Sequence, residues 1–341
     1  MDIYSMTREN LAEWFRERGE NPAKAAILFE WLYQRGLSAF RELPFSGRVI
    51  SELESSFTMV LPETETSSSG DDTEKLLLRL SDGEFVESVL MRQKYGNSVC
   101  ISTQVGCAMG CAFCQSGRLK KRRSLTAGEM TAQVLKLREI CGGKIHSMTV
   151  MGIGEPFDNF NAVRDFCEIA TDYKGLALGE KHVTVSTCGV VPGIKAWTEL
   201  PHPCSLAVSL HAADNALRSQ LMPVNRKYPV GDVIAAALEF AVRHNRRVTL
   251  EYVMLCGVND SPEQARQLAE LIGADPHFYV NIIPYNGNDS GFTQSTRERI
   301  MAFYDVLKKS GAAVTMRREF GGGINAACGQ LSSSRASQQI E

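Results

Sequence analysis

The chain has 341 residues, 44% hydrophobic and 22% charged, with 37 basic against 39 acidic side chains and a net charge of −2. That length suits about two domains, or one barrel-sized domain with an attachment, and the charge balance excludes a protein that holds nucleic acid by bulk electrostatics, leaving only local basic patches for that purpose. No segment reaches the ~18 uninterrupted apolar residues of a membrane span, and the start MDIYSMTREN has neither a basic nor an apolar leader region, so a cytoplasmic protein with no membrane partner is expected.

In chain order, residues 1–60 are predicted to form a small helical module. TRENLAEWFRERGE places Leu11, Trp14 and Phe15 on one helical face, and NPAKAAILFEWLYQRG opens with Asn21 as N-cap and Pro22 at the first helical position and closes at Gly36. Residues 61–97 are expected to be a linker and a β-hairpin. The polar, Pro- and Gly-containing LPETETSSSGDD is the linker, and KLLLRLSDGEFVESVLM turns at Asp82 and Gly83.

From residue 98 to 332, short apolar strands alternate with amphipathic helices. The strands are SVCISTQV, HSMTVMGIG, KHVTVSTCG, CSLAVSLHA, VTLEYVML and FYVNIIPYN, with a last candidate at AVTMRRE. Among the helices, SPEQARQLAELIG carries a capping box of Ser261 and Gln264, Pro262 at its first position, and a stripe of Ala265, Leu268, Ala269 and Ile272. Repeated strand–helix units imply a parallel sheet, and about six of them are too few for the eight of a closed barrel. The fold class predicted is therefore α/β, an open (β/α)6 partial barrel with a helical N-terminal domain and a hairpin extension. Residues 333–341 are a polar tail. Reactive groups of parallel α/β proteins gather at the C-terminal ends of strands, and five of these strand tips carry polar or Gly-rich signatures.

One tip holds QVGCAMGCAFCQSG, with Cys107, Cys111 and Cys114 at spacings of three and two residues. Of ten cysteines in a long cytosolic chain, such a run points to metal binding rather than disulfides. Three thiolates in a Gly-containing loop suit one face of a 4Fe-4S cube, leaving one iron open for a chelating ligand. The amine and carboxylate of S-adenosylmethionine are such a ligand, and its reductive cleavage yields a radical. The residues alone leave open a zinc site closed by a distant His or Cys. The basic run GRLKKRR, Gly117 to Arg123, reads equally as an RNA phosphate grip or a solvated loop. Arg317 and Arg318 form a second candidate patch, while RHNRR from Arg243 to Arg247 closes a helix.

The cysteine run resembles the radical-SAM motif, with Gly110 and Phe113 in their usual places. Read in order, VESV, NSVCISTQVGC, MGIGEP, VTVSTCGVVPGI, LAVSLHAA, LMPVNRKYP, YVMLCGVND, NIIPYN and INAACGQL make residues 5 to 332 resemble the RlmN/Cfr family of radical-SAM RNA methyltransferases. The resemblance implies a partial barrel of radical-SAM type, one 4Fe-4S cluster and S-adenosylmethionine as cofactors, and methylation of an adenine carbon, C2 in preference to C8. The implied partners are RNA (23S rRNA, with tRNA as a second target) and an electron donor, acting on a monomer. Cys107, Cys111 and Cys114 match the cluster ligands. Gly154, Glu155, Ser186, Ser209, Leu210, His211 and Asn286 match positions that hold S-adenosylmethionine.

Cys328 matches the cysteine that carries the methyl group, Cys100 its resolving partner, and Glu87 the proton acceptor. In the implied chemistry, one S-adenosylmethionine methylates Cys328 and a second, cleaved at the cluster, takes hydrogen from that methyl. The resulting methylene radical adds to the electron-poor base carbon, and Cys100 releases the adduct as a disulfide that reductants reopen. Where family members carry acidic residues before AACGQL, this chain reads GGGIN, with Gly322, Gly323 and Asn325. A radical-SAM enzyme on a non-RNA substrate, or a non-catalytic RNA-binding protein that keeps the cluster, are the alternatives; neither requires both Cys100 and Cys328.

Overall fold

The computed structural model describes residues 1–68, 72–287, 290–317, 326 and 329–331. The N-terminal module contains α1 (Arg8–Glu17), α2 (Lys24–Glu30) and α3 (Gly47–Ser56). Helix α1 is capped by Thr7, whose hydroxyl accepts from the Asn10 N–H. The Asn21 carboxamide accepts from the Ala23 N–H at 2.9 Å as an N-cap does, and the turn that follows is of 3-10 type, with Lys24 N–H bonded to the Asn21 carbonyl and Ala25 N–H to that of Pro22, so that the regular α2 begins at Lys24. A π turn over Trp31–Arg35 prolongs α2 to Gly36, whose φ of 73° ends it as expected.

Next come β1 (Glu63–Ser68), β2 (Thr73–Arg79), β3 (Phe85–Gln93) and β4 (Gly96–Cys100). The stretch expected to be a linker is thus corrected: six of its residues form β1, antiparallel to β2 from Glu63↔Arg79 to Ser68↔Glu74. An edge strand can be polar throughout, since it needs only backbone pairing on one side and its charges discourage further pairing. The hairpin turns where expected, with Gly83 N–H bonded to the Leu80 carbonyl.

After β4 the expected strand breaks. Gln133 supplies both a donor and an acceptor to the Ser102 backbone, in place of a strand partner. The chain then forms a short arm of β5 (Gln104–Val105) and β6 (Arg123–Ser124). The remaining elements alternate: α4 (Ala127–Cys141), β7 (Ile145–Val150), α5 (Phe160–Thr171), β8 (Val183–Thr187), α6 (Val191–Thr198), β9 (Ser205–Ser209), α7 (Asn215–Leu221), α8 (Val230–His244), β10 (Val248–Met254), α9 (Pro262–Ile272), β11 (Phe278–Pro284), α10 (Arg297–Lys309) and β12 (Ala313–Met316). The Ser261–Gln264 capping box opens α9, and Arg243 and His244 occupy the last turn of α8.

One ten-stranded sheet runs β1-β2-β3-β4-β7-β8-β9-β10-β11-β12, parallel from β4 onward and not closed between its edges. Six strand–helix units and a last strand make the (β/α)6 partial barrel. The hairpin is continuous with it, because β3 pairs β4 through Val89↔Cys100.

Register sorts the side chains onto two unlike faces. Val185, Leu206, Val208, Leu250, Val280 and Val314 point outward into the main core beneath the helices. Ser209, Glu251, Asn281 and Thr315 lie in one row on the inner face. Strands of a closed barrel are apolar on both faces; here the inner face mixes that polar row with Val253 and Ile283, which line the cavity beside Glu251.

The helical module packs into the same core through Ile3, Tyr4, Leu32 and Tyr33. It is pinned by Arg8 Nε to Asp172 at 2.6 Å and by Arg138 donating to the Tyr33 carbonyl at 2.6 Å. Among the described residues no helix is long and apolar enough to cross a membrane.

Candidate active site

Loops at the C-terminal ends of the parallel strands surround a cavity of about 150 Å³. Its lining brings together Cys107, Cys111 and Cys114, Gly154 and Glu155 after β7, Ser186 on β8, and Ser209 and His211 at the end of β9. Residues spread over more than a hundred positions of sequence meet there because every parallel strand delivers its tip to the same end.

The cysteine loop grows from the β5–β6 arm. Gly106 has φ 72°, and a Cβ on it would lie 2.2 Å from the Lys120 carbonyl oxygen, so only glycine lets the two sides of the loop close. Cys107 N–H donates to the Leu119 carbonyl, Ala112 N–H to that of Leu221, and Gln115 N–H to that of Gly329. The basic run is largely consumed in this scaffold. Lys121 pairs with Asp158 at 2.6 Å, Arg122 with Glu84 at 2.7 Å, and Arg123 with Asp82 and, through both terminal nitrogens, Glu129. These pairs tie the loop to the hairpin turn, to the turn Pro156–Asn159 after β7 and to α4.

Burial pushes the Cys107 thiol up to about 11 and Cys111 well above its ordinary range, and the neighbouring cysteines raise both further. Cysteines at one end of a cavity whose ionised forms are disfavoured by burial and by one another suit a cationic iron–sulfur core, which offsets that repulsion and takes thiolates as ligands. Among the described residues no group of three or more His, Cys, Asp or Glu converges on the position of a single metal ion. Met109, Phe113, Met222 and Val253 supply apolar lining beside the thiols.

Glu155 is buried, and its carboxylate accepts from Phe157 N–H at 3.0 Å and Cys188 N–H at 2.7 Å. Burial raises its pKa, and those two backbone bonds work in the opposite direction. His211 adopts φ 59°, unusual for a non-glycine residue. Its Nδ1 accepts from Val253 N–H at 3.0 Å, and its carbonyl accepts from the Asn259 amide at 2.9 Å. Burial, assisted by Arg218, drops its pKa to about 3. The ring is therefore neutral with its proton on Nε2, a hydrogen-bond donor set edge-on to Phe113 at 4.7 Å between centroids.

Other expected residues lie elsewhere. Leu210 is wholly buried, its N–H donating to the Glu251 carbonyl. Asn286 is half-buried, and its neighbour Tyr285 takes the place on the cavity wall. Glu87 is fully buried on β3 with Lys75 Nζ at 3.0 Å from its carboxylate. The pairing Val89↔Cys100 puts Glu87 on the face of the sheet that carries Cys100, two residues along. Cys100 is buried with Val89, Met91, Ile153, Ala326 and Leu331. Cys328, like Arg318, Gly322, Gly323 and Asn325, lies outside the described residues. Its described neighbours reach both places: Ala326 packs in the Cys100 group, and Gly329 lines the cavity.

Sequence reading missed Glu251 and Arg218, and it took Arg317 for part of a basic patch rather than for a residue of the cavity wall. Glu251 and Arg317 line the cavity. Burial raises the Glu251 pKa, against which Arg317 and a bond from Asn281 at 2.9 Å act. The available signal was the single charged residue in the predicted strand VTLEYVM.

Comparisons with known proteins agree with this geometry. The model of the radical SAM superfamily matches residues 101–269, and that of the ribosomal RNA large subunit methyltransferase N-terminal domain matches residues 1–44. A protein of Enterococcus faecalis named probable dual-specificity RNA methyltransferase RlmN is 43% identical over 347 residues, 99% of this chain and 97% of its own. Its namesake in Streptococcus pyogenes serotype M2 is 45% identical over 341 residues, 97% of this chain and 95% of its own. The crystal structure of a radical SAM methyltransferase from Sphaerobacter thermophilus superposes with a TM-score of 0.90 at 36% identity, covering 98% of this chain and 99% of that one.

Proposed function

Because the chain belongs to the RlmN family of radical-SAM RNA methyltransferases, we propose that it methylates an adenine carbon of RNA, C2 in preference to C8, by way of Cys328 and Cys100. The substrate is 23S rRNA, with tRNA as a second target, and the enzyme acts as a cytoplasmic monomer supplied by an electron donor. One observation carries the reading: the residues flanking Cys328 touch both the Cys100 group and the three-cysteine cavity. The helical module (1–60), the strand and hairpin (61–97) and the barrel (98–332) are proposed as the working divisions of the chain.

Cys107, Cys111 and Cys114 hold the 4Fe-4S cluster. Gly154, Glu155, Ser186, Ser209 and His211, with Leu210 and Asn286 behind them, hold S-adenosylmethionine. When bound, these groups supply hydrogen-atom abstraction strong enough to activate a methyl group.

The chain's own residues do the rest. Glu155 offers carboxylate oxygens to an ammonium while its backbone bonds keep it in place, and the His211 Nε2 proton is presented to an acceptor in the cavity. Cys328 takes up the methyl group as a thiolate and, as the resulting thioether, carries the methyl carbon to the base. Glu87 takes the proton from the ring carbon, and Lys75 balances its charge. Once the radical adduct has returned one electron to the electron donor and lost its ring proton, the Cys100 thiolate attacks the Cys328 sulfur; the sulfur–carbon bond breaks with its electron pair left on the carbon, which takes up a proton to become the methyl group, and the Cys100–Cys328 disulfide awaits an external thiol.

The test is anaerobic. Reconstituted protein is given methyl-deuterated S-adenosylmethionine, a reductant and unmodified 23S rRNA, and the digested nucleosides are weighed by mass spectrometry. Labelled 2-methyladenosine is expected from the native protein and none from Cys328→Ala. Cleavage of S-adenosylmethionine without any labelled adenosine in rRNA or tRNA would overturn the assignment of substrate.

A further inference from the structure

Arg218 on α7 has no solvent exposure, yet among the described residues it makes no ion pair. Its guanidinium meets only neutral acceptors. Nε donates to the Leu210 carbonyl at 3.1 Å, Nη1 to the Asn225 carboxamide at 2.9 Å, and Nη2 to the carbonyls of Cys188 at 2.8 Å and Ser209 at 3.2 Å. A buried charge without a counter-charge is costly, and proteins retain one where an anion is to be bound.

Two observations say where that anion sits. Cys188 and Ser209, which receive the Nη2 bonds, both line the cavity. The next turn of α7 carries Leu221, whose carbonyl accepts from Ala112 N–H at 2.9 Å, and Leu221 and Met222 pack with Cys111 and Cys114. The guanidinium therefore lies one layer behind the thiols, held by the backbone of the two strand tips that bear Ser186, Ser209 and His211.

Three thiolates around a 4Fe-4S core leave it with a net negative charge, which grows when one electron is added. A fixed cation behind the ligands favours the reduced form most, and low local dielectric keeps that effect from being screened. We propose that Arg218 is a positioning residue that serves as the buried counter-charge of the three-cysteine cluster and eases its one-electron reduction. This rests on the reading of Cys107, Cys111 and Cys114 as cluster ligands.

The experiment compares the anaerobically reconstituted full-length protein with Arg218→Met, Arg218→Lys and Asn225→Asp, reading the reduced cluster by electron paramagnetic resonance during titration with dithionite. Asn225→Asp supplies a carboxylate to the Nη1 side without removing the guanidinium, so the test survives a failure of Arg218→Met to fold. Arg218→Met and Asn225→Asp should reduce at lower potential than the native protein, and Arg218→Lys, which keeps the charge but not the fork of bonds, should stay close to it. Potentials unchanged in the neutral and neutralised variants would overturn the proposal, as would a lysine variant that falls as far as methionine. A native protein that takes up no cluster would instead overturn the reading on which the proposal rests.

Discussion

His211 shows how much a single side chain can be constrained. Its ring accepts one backbone N–H, its carbonyl accepts the Asn259 amide, and its backbone is left-handed, so position and tautomer are both set before any ligand arrives. Its depressed pKa also makes stability depend on pH. The folded protein takes up the proton only near pH 3, whereas the unfolded chain takes it up near the ordinary value of about 6.5. The unfolded state thus binds more protons between those values, and stability is full above about pH 6.5 and declines as pH falls. Urea unfolding of the apoprotein should lose about 2 kcal/mol more between pH 7 and pH 5 than the same measurement on His211→Asn. Equal losses in the two proteins would mean that the buried ring is not what titrates.

Among elements, the cysteine loop is the most tightly specified. Its closure depends on the approach of Gly106 to the Lys120 carbonyl and on ion pairs from Lys121, Arg122 and Arg123 to four different carboxylates. Gly106→Ala combines a clash at 2.2 Å with an unfavourable φ. It should reduce iron retained per protein severalfold while the far-ultraviolet spectrum stays native. Gly36→Ala provides the comparison, since its φ is 73° but nothing lies within 4 Å. There only the left-handed penalty of about 1 to 2 kcal/mol applies, and iron content should not change. The basic character of the loop was legible in GRLKKRR, but its use was not. Whether five cations face solvent, phosphate or carboxylate depends on Asp82, Glu84, Glu129 and Asp158, which sequence distance separates and the fold brings near.

At the scale of the molecule, the helical module and the barrel share one hydrophobic core rather than touching through a polar seam. Ile3, Leu28, Phe29 and Tyr33 are fully buried within the same cluster as Met130, Val134 and Leu137 of α4. Removing residues 1–60 would bare that face, so the remaining chain should expose apolar surface, read as raised binding of a hydrophobic dye and loss from the soluble fraction. A truncated protein that stays soluble and holds its cluster would show that the module is an independent attachment.

The fold class, the seven parallel strands and the compact run of Cys107, Cys111 and Cys114 were all legible in the linear chain, because period-two and helical alternation, caps and short spacings are local properties that need no partner to be read. The tertiary structure alone decided which faces of the strands look inward, that the polar stretch after the module becomes an edge strand, that Glu87 is buried against Lys75 on the Cys100 side, and that Glu251, Arg218 and Arg317 belong with the cavity. Each of those depends on register and on contacts between residues far apart in sequence, and a buried charge is recognisable as such only once the chain has closed around it.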